Sequence, residues 1–221
     1  MTGTSRRGRR PMVYNGVVLR CGCRFENEAR RSGHRAVAGV DEVGRGALCG
    51  PVVAAAVVLG DGFDTSGLDD SKRLTARQRE RLAERVRRAA RCWAVGRAEP
   101  REIDAINILQ ATLVAMRRAV EGLSVEADLV LVDALTIPGL QVEQRAIVKG
   151  DALSVSIAAA SIVAKVTRDA LMVELDARHP GYGLARNMGY ACEDHRDALR
   201  RLGPSPIHRR SFNGTQAWLF S

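Results

Sequence analysis

The sequence predicts an α/β fold, with a mixed five-stranded sheet flanked by helices and a C-terminal helical segment. Three observations lead there. Two apolar, β-branched runs, 36–40 and 52–59, flank a glycine-rich turn and read as a hairpin of buried strands, with a third strand at 92–98. Helical patterns then alternate with two further short runs that read as buried strands, 129–132 and 145–148. The last of these helices, 193–202, stops at Gly203.

The helices follow from their spacing. Over 74–91, Leu82 and Val86 recur among Arg and Glu, which predicts an amphipathic helix capped by Thr75. Over 102–123, Ile103, Ile106, Leu109, Leu113, Met116 and Val120 form one stripe, ended by Gly122. The Ala-rich stretch 155–177 predicts a long buried helix. Residues 1–33 lack sustained periodicity and carry Arg6, Arg7, Arg9 and Arg10, so they are expected to form a flexible extension, with a local strand near 17–19.

Of 221 residues, 46% are hydrophobic and 27% charged, and no apolar run approaches the roughly 18 residues of a membrane span, so a membrane protein is excluded and a cytoplasmic one expected. Five cysteines without a CxxC pair signal neither a disulfide framework nor zinc. The net charge of +9 suits a polyanionic partner. Only Lys72, Lys149 and Lys165 among 34 basic residues are lysines, which marks them as positions needing a compact ammonium.

Four carboxylates share one kind of position. Asp41 and Glu42 end the first strand, Asp133 ends the fourth and Asp151 follows the fifth. Neighbouring strand ends open onto a common crevice, so the four can converge there. Converged carboxylates repel one another unless a cation neutralises them, and hard divalent ions such as Mg²⁺ or Mn²⁺ take oxygen ligands. His34, His179, His195 and His208 show no ligand spacing, which disfavours zinc. Beside the first pair, Gly44 and Gly46 would let a substrate backbone approach closely.

The stretch Ala38-Gly39-Val40-Asp41-Glu42-Val43-Gly44-Arg45-Gly46 resembles the signature of bacterial ribonuclease HII, the type 2 ribonuclease H family. Asp70-Ser71-Lys72-Arg73-Leu74, Asn107-Ile108-Leu109-Gln110-Ala111-Thr112, Val132-Asp133, Val148-Lys149-Gly150-Asp151, the segment 159–169 and His208-Arg209-Arg210-Ser211-Phe212 continue it, over residues 36 to 213. The resemblance implies a ribonuclease H-like catalytic domain, 34–221. It also implies Mg²⁺- or Mn²⁺-dependent cleavage of RNA in RNA–DNA hybrids and at ribonucleotides embedded in duplex DNA; separately, a monomer is expected. It casts Asp41, Glu42, Asp133 and Asp151 as catalytic metal ligands. Gly44, Arg45 and Gly46 would meet the ribose 2′-OH, Ser71, Lys72 and Lys149 would contact the substrate, and Tyr190 would stack on a sugar.

Two positions depart from the family. Asn187-Met188 stands where its members usually carry His-Lys before Gly-Tyr, and Ala134 stands where Gly commonly follows the third carboxylate. The first departure motivates an alternative, a catalytically weak hybrid-binding relative on the same scaffold. A resolvase or transposase on a similar sheet is the third reading, opposed by the glycine loop and Tyr190.

Overall fold

The computed structural model describes residues 12–14, 17–19, 21–69 and 71–216. Strands β1 (Met12–Tyr14) and β2 (Val17–Leu19) form a small antiparallel pair, and helix α1 spans Arg24–Arg31. The main sheet contains β3 (Val37–Val43), β4 (Val52–Val58), β5 (Cys92–Ala98), β6 (Leu129–Asp133) and β7 (Glu143–Ile147), in the order β5-β4-β3-β6-β7. β4 is antiparallel to both neighbours, whereas β3, β6 and β7 run parallel, so the sheet is mixed as expected.

Helices cover both faces. On β4, Val52, Ala54, Ala56 and Val58 point to the side of α3 (Pro100–Glu121), while Ala55 and Val57 point to α2 (Ala76–Ala89) and α4 (Val155–Arg178). Burial on two faces explains why β3 and β4 read as continuous apolar runs instead of alternating ones. The Thr75 cap is present as a full capping box with Gln78. Three shorter helices, α5 (Leu184–Asn187), α6 (Glu193–Leu202) and α7 (Asn213–Gln216), complete the C-terminal segment.

Three expectations change. The 103–120 stripe is not continuous: Asn107 has φ 66° and breaks α3, and its Oδ1 accepts hydrogen bonds from the Leu109 and Gln110 amides, capping the second part. The break rotates Ile106 and Leu109 outward, where they are exposed. β7 is an edge strand with only Ile147 buried, and Val148 beyond it is exposed, because no strand among the described residues pairs its outer side. Third, from residue 21 onward the expected extension is docked. Gly22 exchanges backbone bonds with Leu153 and Val155, and the buried Glu26 accepts hydrogen bonds from Ser154 Oγ at 2.5 Å and the Ser156 amide at 3.0 Å. Arg6, Arg7, Arg9 and Arg10 lie outside the described residues.

Candidate active site

The parallel register sets the carboxylates side by side. Val40 of β3 pairs with Val132 of β6, so Asp41 and Asp133 occupy the next position on adjoining strand ends. β7 pairs Ile147 with Asp133 and leads into a 3₁₀ turn, Gly150–Ala152, that carries Asp151. The Gly150 amide donates to Asp133 Oδ1 at 2.7 Å, and the Glu42 amide donates to Asp41 Oδ1 at 2.8 Å. An open cavity of about 450 Å³ is lined by Asp41, Glu42, Gly44, Arg45, Gly46, Ser71, Lys72, Arg79, Asp133, Ser161, Lys165 and Tyr190. Asp151, which is buried, is tied to the same place by Lys72, whose Nζ lies 3.1 Å from its Oδ2.

Electrostatics match a cation site. Burial pushes the Asp41 carboxyl well above its ordinary value, reinforced by Glu42 and Asp133 and opposed by a hydrogen bond from Ser161. Burial also raises Asp133, to about 6, against the Gly150 amide, with Asp151 and Glu42 adding to the rise. The raised Asp41 and Asp133 carboxyls are ones that a divalent charge would relieve, and an all-oxygen donor set suits Mg²⁺ or Mn²⁺. Lys72 and Arg45 make ion pairs with carboxylates of the cluster; Arg45 Nη1 is 3.2 Å from Glu42 Oε1.

The glycine loop is built by hidden arginines. Gly44 has φ +92°, and a Cβ there would lie 2.1 Å from Arg168 Nε, so only glycine fits. A Cβ on Gly46 would meet nothing within 4 Å, which leaves that backbone open to a ligand. Arg168, fully buried, donates to the carbonyls of Pro51, Cys49 and Met188, and its guanidinium sits 5.5 Å from the centre of the Tyr190 ring. Arg209, also fully buried, donates to the carbonyls of Arg45 and Gly50. The Leu48 amide donates to the Gly189 carbonyl at 2.8 Å, so the glycine loop and the Tyr190 loop are stitched together.

The structure thus gathers Asp41, Glu42, Asp133, Asp151, Gly44, Arg45, Gly46, Lys72 and Tyr190 at one end of the sheet. Ser71 lines the cavity, but its buried hydroxyl is 2.9 Å from that of Ser161 and is engaged there. Lys149 lies two residues before Asp151 on a left-handed backbone, φ 59°. Of four described non-glycine residues with positive φ, Ala134 and Met188 also flank site positions, so backbone strain concentrates here. Asn187 spends its amide inside its own loop, donating to the Tyr182 carbonyl and accepting from the Gly189 amide. Sequence reasoning marked Lys165 only as a position needing a compact ammonium and gave no site role to Ser161, Arg168 or Arg209. Ser161, Lys165 and Arg168 share one face of α4 at i, i+4 and i+7, a pattern masked by the Ala, Ile and Val residues around it.

Comparison with known proteins fits this geometry. Ribonuclease H2 from Pyrococcus horikoshii OT3 superposes with a TM-score of 0.69 at 28% identity, covering 83% of this chain and 96% of that one. Bst-RNase HIII in complex with Mn²⁺ superposes with a TM-score of 0.65 at 19% identity, covering 86% and 71%. The fold is ribonuclease H-like, and with its acidic crevice the molecule falls in the class of metal-dependent ribonucleases H. Within that class, the family model described as Ribonuclease HII matches residues 38–215. Ribonuclease HII of Myxococcus xanthus (strain DK1622) is 61% identical over 198 residues, 89% of this chain and 68% of that protein. That of Syntrophotalea carbinolica is 51% identical over 195 residues, 88% and 93%. The chain belongs to the ribonuclease HII family and is a ribonuclease H endonuclease.

Proposed function

We propose that this protein nicks duplexes on the 5′ side of ribonucleotides, in RNA–DNA hybrids and in DNA with a single embedded ribonucleotide, leaving 3′-OH and 5′-phosphate ends. The observation that carries this reading is the meeting of four carboxylates from β3, β6 and the turn after β7 beside an uncovered glycine loop. Asp41, Glu42, Asp133 and Asp151 would hold Mg²⁺ or Mn²⁺. Such ions supply charge neutralisation at the phosphate and lower the pKa of bound water. The Gly44-Arg45-Gly46 backbone would touch the ribose 2′-OH, the group that distinguishes RNA from DNA. Tyr190, 37% exposed and backed by Arg168, would lie against the next sugar, and Lys72 and Lys149 would face phosphates.

The weak hybrid-binding alternative is not favoured, since the acidic set is whole and Asn187 serves its own loop. We further infer a monomer working in the cytoplasm; among the described residues no helix is long and apolar enough to cross a membrane. The deciding experiment is a nicking assay on duplex DNA with one ribonucleotide, run with Mg²⁺, Mn²⁺ or chelator, on the natural protein and Asp41→Asn. Cleavage by the natural protein with metal alone, lost in Asp41→Asn, is expected; cleavage in chelator would refute it. Tyr190→Ala should lower cleavage of the embedded ribonucleotide by roughly tenfold to a hundredfold, with Tyr190→Phe retaining most of it.

A further inference from the structure

His195 and His208 are fully buried outside the acidic cavity, with their Nε2 atoms 3.1 Å apart. Their partners fix both tautomers. The Ser205 amide can only donate, so His208 Nδ1, 3.0 Å away, accepts, and His208 carries its proton on Nε2. The Tyr190 carbonyl can only accept, so His195 Nδ1, 2.9 Å away, donates, and His195 Nε2 is left as the acceptor for His208. A one-way chain of hydrogen bonds therefore runs from the Ser205 amide through both rings to the backbone of Tyr190. Tyr182 packs against the His208 ring at 4.9 Å and anchors itself on the Gly203 carbonyl.

We propose that this imidazole relay is a positioning device for the reaction: His208 orients His195, and His195 holds the Tyr190 backbone so that its ring is presented to the sugar. The proposal rests on the reading of Tyr190 given above. Burial lowers the pKa of both rings, His208 to about 4 with His195 adding to the fall, so the relay is uncharged at neutral pH. Cys49 Sγ lies within 4.8 Å of ligand atoms of both rings, and the trio could be mistaken for a soft-metal site. Two features oppose that. A metal would force the His208 proton onto Nδ1, facing the Ser205 amide, and the buried guanidiniums of Arg168 and Arg209 contact the carbonyls of Cys49 and Gly50.

Imidazole nitrogen NMR of the whole protein at pH 7 is expected to show His208 protonated on Nε2 and His195 on Nδ1. The opposite tautomers, or a Co²⁺ thiolate absorption band that disappears in Cys49→Ala, would overturn the relay. Function is tested by combining substitutions. His195→Phe keeps a ring but loses the donor, and should lower cleavage of a single embedded ribonucleotide by roughly threefold to tenfold. His195→Asn, smaller but able to donate near Nδ1, should recover most of that loss; a purely packing role predicts the reverse order. In a Tyr190→Ala background neither change should matter further. Equal losses in both backgrounds would overturn the proposal while leaving the Tyr190 reading intact. A Tyr190→Ala protein with undiminished cleavage would instead refute that reading, and the relay's catalytic role with it.

Discussion

At the residue scale, two positions beside the third carboxylate make separate predictions. Ala134 sits at φ 55°, where a Cβ clashes with the backbone at a cost of about 1 kcal/mol. Ala134→Gly is expected to raise Tm by about 2 °C in a calorimetric scan, with the fold unchanged. Asp133 binds a proton more tightly folded, at about 6, than at its ordinary 3.8. Its contribution to stability is complete below 3.8 and disappears as pH rises through 6, because the unfolded chain then holds fewer protons than the folded one. In chelator, the natural protein should melt lower at pH 7.5 than at pH 5. Asp133→Asn should flatten that difference while abolishing cleavage with either ion. Unfolding of Asp133→Asn at pH 7.5 would mark Asp133 as structural. The carboxylates were legible as candidates because Asp41, Glu42 and Asp133 close apolar runs and Asp151 closely follows one. The role of Ser71 was less so, since its hydroxyl is captured by a helix residue ninety positions away.

At the scale of elements, the glycine loop separates two uses of one residue type. Gly44→Ala drives a methyl into Arg168 from a left-handed backbone and should destabilise the protein by more than about 1 kcal/mol, read as a lowered Tm. Gly46→Ala meets open space, so Tm should stay within the change of about 0.5 kcal/mol usual for surface substitutions while cleavage falls. Equal effects of the two on Tm would contradict this division. Strands β3 and β4 were readable because both faces are buried and no polar residue interrupts 37–40 or 52–58. β7 was misjudged because an edge strand needs only one buried position, and Ala146-Ile147-Val148 looks apolar whichever way it faces. The break in α3 was invisible because Asn107 falls between stripe positions; its φ of 66° is set by tertiary structure, not by local propensity. The His195–His208 pair was out of reach for the same kind of reason, joining a helix to a loop thirteen residues on.

For the molecule as a whole, charge and metal should act together. An ion that binds only the folded state stabilises it by mass action, about 2.7 kcal/mol at a hundred times Kd. Adding Mn²⁺ or Mg²⁺ should therefore raise Tm in the natural protein and much less in Asp41→Asn; equal rises would place the ion elsewhere. Affinity for duplex should fall steeply with salt, given the net charge of +9, as counterions compete for the phosphates. The docking of α1 has a different consequence, in the order of events during synthesis. Glu26 meets Ser154 and Ser156, 128 and 130 residues later in the chain, next to the turn that carries Asp151. An eight-residue helix is marginal alone, so α1 lacks these hydrogen-bond partners until the start of α4 has left the ribosome, roughly 6 to 26 s later at ordinary elongation rates. The same segment brings Asp151 and the first turn of α4, so α1 docks in the step that completes the acidic crevice, and a nascent chain stalled before residue 150 would have neither.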